Sequence, residues 1–251
     1  MIPVLFLSGL FWAVLDTQQA YGNEKERKPK LPPLIQATTL EEDYRAMAGL
    51  GLAFTPLLPE KDPEQVFENI LCSCVRIQVQ GHYGSGSIFL MKEDEIIIVT
   101  NRHLLEYWNE DSFVTFFNGR TASGTVLKIC GEADLGFLSV QTHSFSWQEL
   151  LELRNVRPLK EEAQQGEELL LIDMAADPYA PEKKQGELIS PAMYLEDFGM
   201  EMLYGTGQGR PGMSGSGIFD GYGNYLGMLT GATWQGEIAA VPASVICAQA
   251  P

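Results

Sequence analysis

The order in which three residues fall along the chain restricts its fold more than any property of its composition. Ser214 lies in Gly209-Arg210-Pro211-Gly212-Met213-Ser214-Gly215-Ser216-Gly217-Ile218-Phe219, a single hydroxyl in a glycine-flanked bend ahead of a strand. Glycines let the backbone turn sharply, so the amides of Gly212 and Ser214 can converge on a carbonyl oxygen as it gains charge, forming an oxyanion hole. A serine becomes a nucleophile only when a neighbouring base takes its proton, so this bend calls for a histidine and a carboxylate elsewhere. The chain has three histidines. His103 ends the apolar, β-branched run that starts at Glu95 and passes through Ile96, Ile97, Ile98 and Val99, which reads as a buried strand delivering the histidine. His82 reads as a solvated turn residue, with a substrate contact as its functional alternative, and His143 reads as surface. Asp134 stands in Ala133-Asp134-Leu135-Gly136, just ahead of an alternating strand.

The order is therefore His, Asp, Ser. No histidine follows Ser214, which excludes the Ser…Asp…His order of α/β-hydrolases, and a subtilisin runs Asp…His…Ser. Most segments from residue 72 onward read as short strands joined by glycine-rich turns. Six are expected between Cys72 and Val140, with a turn at Gly84 to Gly86, and six more between Leu169 and Val241, with a helix around Trp147 to Leu153. The expected fold is all-β: two six-stranded antiparallel barrels, the active site in the cleft between them, and a short C-terminal helix. His103 and Asp134 would come from the first barrel and Ser214 from the second.

Thr100-Asn101-Arg102-His103, Ala133-Asp134-Leu135-Gly136 and Gly212-Met213-Ser214-Gly215-Ser216 resemble the three signatures of trypsin-like serine peptidases. Tyr225 to Gly231 resembles the strand beside the primary specificity pocket, and Ile238 to Pro242 the last strand before a terminal helix. The resemblance covers roughly residues 68–246. Its flavour is bacterial, similar to HtrA-type proteases without their PDZ domain and to the glutamyl-endopeptidase group, which also tolerates serine two places after the nucleophile. It implies a serine endopeptidase acting on polypeptides, with catalytic residues His103, Asp134 and Ser214. Two departures stand out. Ser216 replaces the usual glycine, and Met213 stands where trypsin has an aspartate that pairs with the amino terminus released on zymogen cleavage. Arg76-Ile77 superficially resembles an activation site, but Gln78-Val79-Gln80 continue it as a strand. The competing non-enzyme reading is a catalytically inactive peptide-binding module on the same fold.

The specificity pocket would be lined by Leu229, Thr230 and Gly231, with Gln208 as a polar end. No acid occurs between Met202 and Met213, which disfavours a lysine or arginine side chain in the pocket, since a desolvated cation needs a partner. Leu229 suggests a medium apolar residue.

Acidic residues outnumber basic ones 33 to 17, a formal net charge of −16. Such a chain is repelled by phosphate backbones, so nucleic acid is not an expected partner. Residues 2–15 form an apolar stretch shorter than the roughly 20 residues of a spanning helix. They read as the core of a signal peptide at residues 1–22, or as an uncleaved anchor and membrane tether, because Lys25, Arg27, Lys28 and Lys30 follow the run rather than precede it. Either way the protein is expected to be exported, as a secreted, periplasmic or cell-surface species. Residues 23–66, mixing charge with proline and holding a helical interlude at Glu41 to Leu52, read as a linker or pro-region ahead of barrels at 67–145 and 146–251. Cys72, Cys74, Cys130 and Cys247 permit three full disulfide pairings, with buried free thiols the simpler reading. The tight Cys-x-Cys spacing suits no metal site, and neither metal nor cofactor is expected.

Overall fold

The computed structural model describes residues 39–49, 62–159, 161–175 and 177–251. The signal peptide or anchor at 1–22, including the apolar residues 2–15, lies outside the described residues, as do residues 23–38 and 50–61 of the linker or pro-region.

The apolar runs are continuous because their strands are buried on both faces. In β3 (Glu95–Thr100), Ile96 and Ile98 turn into the core of the first sheet, while Ile97 and Val99 face a second core shared with the other half of the molecule. The neighbouring β7 (Leu135–Gln141) does the same, with Leu138 and Val140 on one side and Leu135 and Phe137 on the other. A period of two with both faces dry leaves no room for polar alternation. Leu169, Leu171, Leu229 and Ala240 belong to a third core inside the second barrel.

The first sheet adds β1 (Cys74–Val79), β2 (His82–Met91), β4 (Phe113–Phe116), β5 (Thr121–Ala122) and β6 (Thr125–Cys130), in the antiparallel order β5-β4-β1-β2-β3-β7-β6. It thus has seven strands where six were expected, and it is a curled sheet rather than a closed barrel. The additional strand, β5, is two residues long, too short to carry a pattern, and is held by pairing Val114 with Ala122 and Thr115 with Thr121. The second half closes as expected into six strands, β8 (Glu168–Asp173), β9 (Glu182–Leu195), β10 (Met200–Gly207), β11 (Gly217–Phe219), β12 (Tyr225–Ala232) and β13 (Glu237–Pro242), ordered β10-β13-β12-β11-β8-β9.

The first hairpin also differs from expectation. Its turn falls at Gln80 and Gly81, whose φ values of 39° and 78° match the type I′ geometry favoured by two-residue loops. Gly84, Ser85 and Gly86 instead lie within β2, where Ser85 pairs with Arg76. Arg76 is held in mid-strand between Ser85 and Thr115, its guanidinium 3.8 Å above the Tyr83 ring, so the Arg76-Ile77 bond is not displayed for cleavage.

Helices cover the first sheet, and two of them cross between the halves. In α1 (Leu40–Gly49), Tyr44 is buried against Trp147 of α4 (Trp147–Glu152), ring centroids 5.1 Å apart. Helix α2 (Pro63–Leu71) starts on the Asp62 N-cap, whose side chain accepts from Glu64 N at 3.0 Å, and Pro63 fits the first turn because it lacks only an N–H that would go unused. Its Val66 and Ile70 pack in the shared core beside the Gly223 turn of the second barrel, although the helix leads directly into the first sheet. In the opposite sense, α5 (Ala243–Gln249) follows the second barrel and returns to the first sheet, where Lys128 Nζ donates to Gln249 O at 2.7 Å. All four cysteines are free thiols, with Cys74 and Cys130 buried and Cys247 exposed.

Candidate active site

Strand β3 ends at Thr100, and the chain turns at Asn101 into the short helix α3 (Arg102–Leu105), which carries His103. Asp134 sits immediately before β7, the strand paired with β3, so adjacent strands bring the two side chains to one rim. Two hydrogen bonds join them: His103 N donates to Asp134 Oδ1 at 3.0 Å, and His103 Nδ1 lies 2.8 Å from Asp134 Oδ2. Burial raises the Asp134 carboxyl, but the His103 ring and backbone bonds, with the charges of His103 and Arg102, outweigh it and hold its pKa below the ordinary carboxylate value. An ionised carboxylate can only accept, so Nδ1 carries the proton and Nε2 is left with its lone pair.

Other side chains fix this corner. Arg102 Nη1 donates to Gly131 O at 3.1 Å, tying the histidine helix to the loop before Asp134. Asn101 Nδ2 donates both to Asp134 O at 3.0 Å and to Thr230 Oγ1 at 3.1 Å, linking His loop, Asp loop and second barrel through one amide.

Ser214 is positioned by backbone. Met213 N donates to Arg210 O at 3.0 Å, closing a turn whose central residues are Pro211 and Gly212, and Gly212 has φ 93°. Proline followed by a residue of positive φ is the signature of a type II turn. Among the described residues, neither Gly212 N nor Ser214 N donates to another protein group, so both are available to an external acceptor. Strand β2 holds the bend in place: Ser85 N donates to Ser214 O at 2.8 Å and Ser85 Oγ to Gly212 O at 3.1 Å, while Thr100 Oγ1 donates to Ser85 O at 2.7 Å. Gly215 has φ 90°, and a Cβ there would lie 2.0 Å from Ser85 O, so only glycine fits. Among the described residues no hydrogen bond joins the Ser214 hydroxyl to the His103 ring, an arrangement common in enzymes awaiting substrate.

A family model described as a trypsin-like peptidase domain matches residues 84–228, more than half of the chain. The chain belongs to the trypsin-like peptidase family. As a serine-type endopeptidase it acts on polypeptides. No curated protein sequence matches it significantly. Solved structures similar in fold include the active form of the Rv3671c protease from M. tuberculosis (20% identity, 78% of this chain and 89% of that chain covered, TM-score 0.60). The serine endoprotease from Yersinia pestis is similar at 18% identity, covering 75% of this chain and 65% of its own, with a TM-score of 0.61. Deg5 is similar at 19% identity, covering 74% and 90%, with a TM-score of 0.60.

The departures of this peptidase from the family pattern have local explanations. Met213 is fully buried in the core of the second barrel, where an aspartate would need a charged partner. Ser216 is buried too, and its hydroxyl is satisfied by donating to Ile172 O at 3.2 Å. Beside Ser214 lies a cleft of about 260 Å³ bordered by Arg210, Pro211, Leu229, Thr230, Gly231 and Trp234 among others. Leu229, Thr230 and Gly231, the residues expected to line a specificity pocket, border this cleft. Gln208 is exposed and does not border the cleft, whereas Arg210 lies at its edge, its guanidinium turned to Asp173. His82 and His143 are both exposed, His82 with its ring 6.2 Å from that of Tyr107. Sequence reasoning passed over Ser85, Asn101, Asp173 and Arg210. Asn101 was within reach, since it lies inside the His103 signature, and so was Arg210, in the glycine-flanked run that carries Ser214; Ser85 was hidden by reading its glycines as a turn.

Proposed function

We propose that this peptidase cleaves peptide bonds through an acyl-enzyme on Ser214. Ser214 Oγ attacks the carbonyl carbon of the scissile bond while His103 Nε2 takes its proton. The amides of Gly212 and Ser214 receive the oxyanion. The C–N bond then breaks as His103 returns the proton to the leaving amine, and a water activated by the same nitrogen hydrolyses the ester. Asp134 holds the imidazole in the tautomer this requires and stabilises the imidazolium. The observation that carries the reading is the doubly hydrogen-bonded His103–Asp134 pair, which fixes both the orientation and the free nitrogen of the base. Leu229 and the glycine at 231 favour a medium apolar side chain in the cleft.

The competing reading, a binding module without turnover, draws on the missing Ser214–His103 bond. Labelling of the full chain with a fluorophosphonate separates the two. Labelling of the wild type that is lost in Ser214→Ala and in His103→Ala is expected; folded wild-type protein that takes no label, yet binds peptide equally well with or without Ser214→Ala, overturns the enzyme reading.

A further inference from the structure

Asp173, the last residue of β8, is fully buried. A carboxylate inside a protein is costly unless each oxygen is bonded and the charge is met. Both conditions are satisfied from one neighbourhood. Asp173 Oδ1 accepts from Ala175 N at 3.0 Å, and Asp173 Oδ2 accepts from Arg210 Nε. Arg210 is the residue whose carbonyl closes the Pro211-Gly212 turn by accepting from Met213 N. Ala175 touches the same turn, its Cβ 2.6 Å from where Gly212 would carry one. The buried carboxylate therefore grips the oxyanion turn at its first residue and at its flank.

In trypsin the equivalent ordering charge comes from an amino terminus paired with the aspartate preceding the nucleophile, a position occupied here by the buried, uncharged Met213. We infer that the Arg210–Asp173 ion pair supplies that ordering from within the chain, making Arg210 a positioning residue that holds Gly212 N–H in its oxyanion-binding orientation without any cleavage event. The inference builds on the acyl-enzyme reading above. Arg210 acts through the turn and not on the reacting atoms, so its removal lowers the rate of the covalent step and leaves ground-state recognition in the cleft nearly intact.

The test uses the full chain as wild type, Arg210→Gln, Asp173→Asn, the double variant and Arg210→Lys, with fluorophosphonate labelling resolved into a maximal rate and an affinity. Loss of one oxyanion donor costs about 100-fold or more in rate. Arg210→Gln and Asp173→Asn are each expected to slow the maximal labelling rate by about that factor with affinity changed less than about threefold, the double variant no worse than either alone, and Arg210→Lys partly restored. Hydrogen exchange over residues 208–217 provides a readout without chemistry: the Met213 amide should exchange faster in Arg210→Gln than in wild type. If Asp173→Asn does not fold, Arg210→Gln decides, its side chain being 41% exposed. An unchanged labelling rate in Arg210→Gln, or a change in affinity alone, overturns the inference, the latter making Arg210 a specificity residue. Wild type that takes no label sinks the acyl-enzyme reading, and the ion pair is then judged by exchange, unchanged protection overturning it.

Discussion

The two halves of the molecule position their functional groups by different means. The open first sheet presents His103 and Asp134 at the ends of paired strands and locks them through their own side chains, 2.8 Å apart. The closed second barrel presents Ser214 on a turn fixed by positive φ values at Gly212 and Gly215 and by bonds to backbone oxygens. The proposed acid–base pair is thus a property of two side chains, whereas the proposed oxyanion site is a property of a main-chain conformation. It follows that the first half tolerates backbone-neutral substitutions structurally but not chemically, and that the second half can be weakened by residues that never meet substrate.

The largest effect should come from Asp134→Asn. An amide in place of the carboxylate favours the wrong imidazole tautomer, and kcat against a peptide substrate should fall about 10⁴-fold with the fold preserved; a loss of less than tenfold would mean that the side-chain pair is not what organises the base. Next comes Ser85→Ala, which removes the hydroxyl bond to Gly212 O but keeps the Ser85 N bond to Ser214 O. It should destabilise by about 1 kcal/mol in denaturant unfolding and slow labelling less than tenfold; a catalytic collapse of the size seen with Asp134→Asn would erase the contrast between the halves. The smallest effect concerns pH. Because the folded Asp134 carboxyl sits below its ordinary value of 3.8, its pairing stabilises the fold above that value and the contribution is lost as pH falls through the folded value. The difference in Tm between wild type and Asp134→Asn should therefore close only below about pH 3.8, and closure already at about pH 5 would contradict the lowered pKa.

What could be read from the sequence follows the same division. The runs Glu95 to His103 and Leu135 to Val140 announce themselves because burial on both faces leaves continuous apolar residues, and the loops that follow or precede them carry the signature residues. The six strands of the second barrel and α5 were legible for similar reasons. Thr121–Ala122 was not, since a two-residue strand has no period and exists only through its partner. Nor was the Arg210–Asp173 pair, whose members are far apart in sequence, and whose meeting depends on where β8 ends relative to the serine turn. The cleft shows the same limit: Gln208 and Arg210 are two residues apart, and only Arg210 borders it.

The crossed bracing of the termini has a practical consequence for dissecting the protein. Helix α2 precedes the first sheet yet packs on the Gly223 turn, and α5 follows the second barrel yet is bonded to Lys128. A fragment cut near residue 146 would leave each piece holding the other's cover, with Val66 and Ile70 bare on one and the Ile246 face on the other. Such halves should be insoluble when expressed apart and recover together only when mixed, so that the chain behaves as a single heritable unit for shuffling or circular permutation, despite its two-sheet appearance.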